Sequence, residues 1–166
     1  MEWLSTLFGY KSKKQETTSF TLRQGKSVPI DDAFRAWTSG DLDKMLKAAS
    51  TKTNPIDRHY LLQSIVDETY KLREKEKYRN LCTKYAEMHL KEFPSIAPVL
   101  KDEMNGILPR ITTFQHYATV LTEDNDYDRA IEICEKALEY GLHDNTISGF
   151  EGRIARIKKK AEKDNA

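Results

Sequence analysis

Between Phe114 and Leu142 the chain carries two apolar stripes at helical spacing, separated by a short acidic break. Phe114, Tyr117, Ala118 and Leu121 recur at i, i+3, i+4 and i+7, the signature of one face of a helix. Glu123 to Asp126 interrupts the pattern, and Tyr127, Ala130, Ile131, Cys134, Ala137 and Leu138 resume it with the same period. So short a break predicts two antiparallel helices joined by a tight polar turn. Asp126 is suited to cap the second helix, because its carboxylate can accept from the first free backbone N–H groups. Gly141 sits just past the last apolar position, where a left-handed backbone favours glycine. Ala118 and Ala130 are small where the two axes cross.

These residues resemble the tetratricopeptide (TPR) pattern, W-x2-L-G-x2-Y, then A-x3-F, then P, in a period of about 34 residues. The chain has Phe114-x2-Tyr117-Ala118-x2-Leu121, then Ala130-x3-Cys134, with Ala137 three further on. Cys134 replaces the family's aromatic and Leu142 its proline. The match covers about a fifth of the chain, and an ordinary two-helix bundle segment has the same apolar spacing. The resemblance implies an all-α fold of antiparallel helical hairpins in a TPR-like right-handed stack of about three units.

Upstream, weaker copies follow the same grammar. Ala33, Phe34, Ala36 and Trp37, then Leu42, Met45, Leu46 and Ala49 after the turn Ser39-Gly40-Asp41, make a shortened hairpin. Asn54-Pro55 opens a helix with a cap residue and a first-turn proline. Leu61, Leu62, Ile65, Val66, Thr69 and Leu72 are its buried side, and the charged piece Arg73 to Lys77 ends it. Tyr78, Leu81, Cys82, Tyr85, Met88 and Leu90 carry the next helix to Phe93-Pro94. From Leu42 to Tyr78 is 36 residues, but from Tyr78 to Tyr127 is 49. The surplus falls on Ser95 to Leu108, bracketed by Pro94, Pro98 and Pro109, and predicts an inserted short helix. Ile147, Phe150, Ile154 and Ile157 predict a C-terminal capping helix, apolar inside and polar outside, with Arg153, Arg156 and Lys158 to Lys160 facing elsewhere.

The division expected is a segment 1–28, an amphipathic N-terminal helix with a polar linker, and a helical domain 29–166. Trp3, Leu4, Leu7 and Phe8 fall on one side of a short helix, and Lys11, Lys13 and Lys14 follow. That stretch is too short to span a bilayer and lacks the build of a signal peptide. It can dock on its own domain or on a second copy; in the other reading it is an interfacial membrane anchor. Lys11 to Ser27 reads as the linker; Ser19 to Arg23 could be extended but has no obvious partner strand.

Chemistry is sparse. His59, His89, His116 and His143 are scattered without a metal-ligand spacing, and no Ser or Cys stands in a nucleophile motif. Cys82 and Cys134 fall on apolar helix faces, as buried reduced thiols. Asp124, Asp126 and Asp128 begin like a calcium loop, but Arg129 stands where the loop needs glycine, so the cluster reads as a helix start. With a formal net charge of +1, no global field attracts nucleic acid or membrane. The expectation is therefore a cytoplasmic, non-catalytic adaptor or regulatory module with no cofactor and no metal. It would bind a protein or peptide, with a peripheral membrane protein or a structural homo-oligomer as alternatives. The resemblance implies a concave groove lined by the first helix of each hairpin. It maps to Thr112, Gln115, Thr119 and Thr122 with His116 at the edge, and more loosely to Gln63, Val66, Tyr70 and Arg73 upstream, where Val66 reads equally as core.

Overall fold

The computed structural model describes residues 18–166. The N-terminal positions Trp3, Leu4, Leu7 and Phe8 lie outside the described residues. Among the described residues, seven helices and one two-stranded hairpin follow in chain order, and the predominance of helix there, 67%, fits the expected class.

The hairpin is the first departure from expectation. Strand β1, Phe20–Arg23, pairs antiparallel with β2, Lys26–Pro29, in the register Phe20↔Pro29 through Arg23↔Lys26. The partner strand lies two residues further along the chain. Gln24 and Gly25 both have positive φ, 51° and 69°, the left-handed pair that a two-residue turn needs to match the strands' twist. Much of the expected linker is thus a sheet, and β2 runs across the expected boundary at residues 28 and 29.

Helices then pack in adjacent pairs. Helix α1, Asp32–Ser39, is capped by Asp31, whose carboxylate accepts from Phe34 N at 2.9 Å. Gly40 at φ 69° turns the chain into α2, Leu42–Ala48, capped by Asp41. Helix α3, Pro55–Lys71, has Asn54 as its cap and proline in its first turn. It lies along α4, Glu76–Glu103. Helix α5, Thr113–Glu123, pairs with α6, Tyr127–Glu139. Helix α7, Gly149–Asp164, packs on α6. Across the pairs, α1 lies beside α3 and α3 beside α5.

Helix α4 corrects the expected inserted helix. It runs 28 residues without a break, through Pro94 and Pro98. Both prolines are exposed and sit one turn apart on the same face. The hydrogen bonds they forfeit open toward water, while Phe93, Ile96, Ala97 and Leu100 bury the opposite face. Burial of that face outweighs the local preference to stop. The surplus between the second and third hairpins is therefore a lengthened helix. Replacing Pro98 by alanine is expected to stabilise the protein by about 1–3 kcal/mol. Thermal melting should then rise by about 2–4 °C per kcal/mol. An unchanged or lower melting point would show that the helix depends on the proline.

The core runs through all three pairs. Phe93 meets Phe114 edge-on at 5.3 Å and Tyr140 at 4.8 Å, tying α4 to α5 and to the end of α6. Ala118 and Ala130 are fully buried, as their size requires at the α5–α6 crossing. The C-terminal stripe is out of register by its first member. Ile147 is fully exposed, because α7 begins only at Gly149 and Thr146 turns back on Asp144. Phe150 and Ile157 are buried and Ile154 half-buried.

Candidate functional site

The residues expected to line a groove do converge. They form a polar seam where α3 meets α5 and α5 approaches α7, and all eight are half-buried. Gln63 on α3 spans the loop before α5: its Oε1 accepts from Thr112 N at 3.1 Å and its Nε2 donates to Arg110 O at 3.3 Å. One turn on, Asp67 accepts from Thr112 Oγ1 at 2.6 Å and faces His116 Nε2 at 3.2 Å. The His116 ring stacks on Tyr70 with centroids 3.9 Å apart. The Arg73 guanidinium covers Tyr70 from the other side, 4.1 Å from the ring centre. Imidazole, phenol ring and guanidinium thus make a layered edge to the α3–α5 seam, a geometry that favours cation–π attraction.

Arg73 also grips Glu123 at the end of α5, at 2.9 Å, and Arg79 on α4 shares that carboxylate at 3.1 Å. Burial pushes the Glu123 carboxyl up, but the hydrogen bonds and charges of Arg73 and Arg79 more than offset it and hold it below the ordinary value. Asp124 is taken by Arg79 at 2.7 Å, and Asp126 caps α6 by accepting from Arg129 N. The acidic cluster is a helix junction, as its spacing suggested.

Toward α7 the seam becomes basic. Thr119 Oγ1 donates to Gln115 O at 2.8 Å and accepts from Arg153 Nη1 at 3.0 Å. Thr122 Oγ1 donates to Ala118 O, and Lys160 Nζ reaches Thr122 O at 3.3 Å. Arg153 does not face away from the core as expected. It bonds Asp144, a buried carboxylate, at 2.9 Å. Asp144 is pushed up by burial and brought below its ordinary value by Thr146 and Arg153. A cleft of about 220 Å³ between α5 and α7 is lined by Thr119, Thr122, Arg153, Arg156 and Lys160, among others. Gln115 Oε1 is buried without a hydrogen-bond partner.

Sequence reasoning named the α5 side of this seam and missed its counter-charges. Asp67 has no role in the sequence pattern, Glu123 reads there only as part of the acidic break, and Arg153 and Lys160 read only as the outward polar side of α7, because a polar residue on a helix surface has no periodicity that separates water-facing from neighbour-facing positions. Val66, on the same helix, is fully buried core.

Elsewhere the two thiols and two of the imidazoles are locked in packing. Burial pushes the Cys82 and Cys134 thiols up to about 11, well above the range in which a thiolate attacks at neutral pH. Both cysteines are free and buried. His59 and His89 meet inside the core, Nδ1 to Nε2 at 3.0 Å, and His89 Nδ1 meets Thr113 Oγ1 at 2.7 Å. Nothing in the spacing of residues 59 and 89 announced this pair. Among the described residues, no group of three or more His, Cys, Asp and Glu is placed to hold a metal ion. Among the same residues, no helix is long and apolar enough to cross a membrane. In comparisons with known proteins, the chain matches no family model, no curated protein and no solved structure.

Proposed function

We propose that the chain is a non-catalytic adaptor or regulatory module that binds a protein or peptide along the α3–α5–α7 face. In this reading the helix pairs form a TPR-like right-handed stack, with α7 as its cap. The observation that supports it is the side-by-side placement of α3 and α5, the first helices of successive pairs. Arg153 and Lys160 extend that face onto α7. A face built from one helix of each pair is how stacked repeats present an extended surface.

The seam sets how the surface can be tested. Thr112 and Thr119 are half-buried and bonded across helices, and Gln115 is half-buried with its Oε1 enclosed, so charges placed there would perturb the fold. The exposed rim is the better probe. Lys71, Arg156 and Lys160 are exposed beside the seam, and exposed substitutions usually change stability by about 0.5 kcal/mol or less. Changing all three to glutamate is expected to preserve helicity by circular dichroism and to abolish capture of the principal partner from native lysate. Glu132, Glu135 and Glu139 are exposed on α6, the second helix of its pair; changing them to lysine should leave capture intact. The reverse outcome, capture lost only with the α6 variant, would transfer the binding surface to the α4–α6 side.

A further inference from the structure

The β-hairpin is inside out. Its alternation puts Thr21, Arg23 and Val28 on the half-buried inner face. The residues turned outward are Phe20 and Leu22, 58% and 66% exposed, beside exposed Ser27 and Pro29. A sheet with one solvated face normally shows the opposite, apolar in and polar out. The hairpin is nevertheless firmly seated. Arg23 Nη2 bonds Asp57 at 2.6 Å, its guanidinium lies 5.5 Å from the Phe34 ring centre, and Gln24 Nε2 reaches Asp102 at 2.9 Å. Two large apolar side chains are therefore held side by side toward solvent on an anchored element.

We propose that the chain's own N-terminal apolar segment, Trp3, Leu4, Leu7 and Phe8, covers this outer face. Two observations select that occupant. It joins β1 directly: twelve Cα steps separate Phe8 from Phe20, a reach of about 40 Å at full extension, so return to the face is sterically easy. The charges agree as well. Lys11, Lys13 and Lys14 follow the apolar stretch, while Asp102 and Glu103 stand at the hairpin tip, where both accept from Gln24. Covering Phe20 and Leu22 removes apolar surface from water without ordering a second molecule.

The test uses the full chain with a cysteine pair, Leu7→Cys with Leu22→Cys, oxidised at micromolar concentration; the native thiols are buried. The control pair is Leu7→Cys with Ile147→Cys, since Ile147 is fully exposed in the loop before α7. The expected result is a cross-linked monomer forming at least about tenfold faster with position 22 than with position 147, as an intramolecular contact requires. Equal rates at the two positions would overturn the proposal. So would a product that is chiefly a cross-linked dimer, which would give the face to a second copy. A lipid occupant is tested separately. If the full chain floats with phosphatidylserine vesicles, Phe20→Ser with Leu22→Ser abolishes flotation and position 22 gives no monomer cross-link, the face belongs to the membrane surface and the proposal fails. Circular dichroism of each variant confirms that the helical body is intact.

Discussion

Lowering the pH from about 7 to about 5 is expected to remove roughly 2 kcal/mol of folding stability through His59, with His89 acting in the same direction. Both imidazoles are fully buried and in contact. Burial lowers His59 from 6.5 to about 4, against a small opposing pull from the Asp67 carboxylate. Burial likewise holds His89 well below 6.5, helped by the neighbouring His59 and Arg58. The sign follows from where protons bind. Above 6.5 both rings are neutral whether the chain is folded or not. Below it the unfolded chain takes up two protons that the native state refuses, so stability falls as pH falls. The fall stops for His59 only near its folded value of about 4. Against a total stability of about 5–15 kcal/mol, this is a large fraction.

Urea unfolding followed by circular dichroism at several pH values between 5 and 7 would measure the slope. A double change, His59→Gln with His89→Gln, should flatten it whatever the substitutions cost at neutral pH. Glu123 and Asp144 are held by arginines below their ordinary values, so their contribution is lost at lower pH and does not imitate the effect. A wild-type profile already flat over this interval would mean that the rings reach water.

How far the amino-acid pattern could carry the fold is visible in particular elements. The α5–α6 hairpin was readable because a 3.6-residue apolar period, a capping aspartate and a glycine stop agree with one another. Ala130 is buried, Asp126 caps and Gly141 has positive φ, as read. Helix α4 was misread at Pro94 because a proline's local preference is a weak prior beside the burial of Phe93, Ile96 and Leu100. The β-hairpin was missed for a different reason. Its apolar residues face outward, and its Gln-Gly turn is a weaker signal than Asn-Gly. The seam was half-visible. Helical phase placed Thr112, Gln115 and Thr119 on one side of α5, but the depth of that side depends on α3 and α7, which no local pattern contains.

Asp57 illustrates the same limit at a single residue, and removing it is expected to cost about 3–5 kcal/mol. In the sequence it is an acidic residue in the first turn of α3, where a carboxylate gains only a few tenths to about 1 kcal/mol from the helix end. In the fold it is 1% exposed and joins three elements. Its carboxylate accepts from Arg23 on β1 at 2.6 Å, from the Trp37 indole on α1 at 3.1 Å and from the Asn54 cap of α3 at 2.5 Å. Truncation to alanine strands a largely buried guanidinium and an indole N–H, and frees the hairpin from the helical body. Asp57→Asn should cost less, because an amide oxygen can still accept while the charge is lost. The Arg23 pairing can be isolated in a double-mutant cycle with Arg23→Ala, where a coupling of about 1–3 kcal/mol is expected. Urea denaturation of the five proteins, wild type included, measures all of these terms. If Asp57→Ala lost less than about 1 kcal/mol, or its effect simply added to that of Arg23→Ala, the hairpin would not be held by this carboxylate. The seating of β1 and β2 would then rest on Gln24 against the end of α4 and on the Arg23 contact with the Phe34 ring.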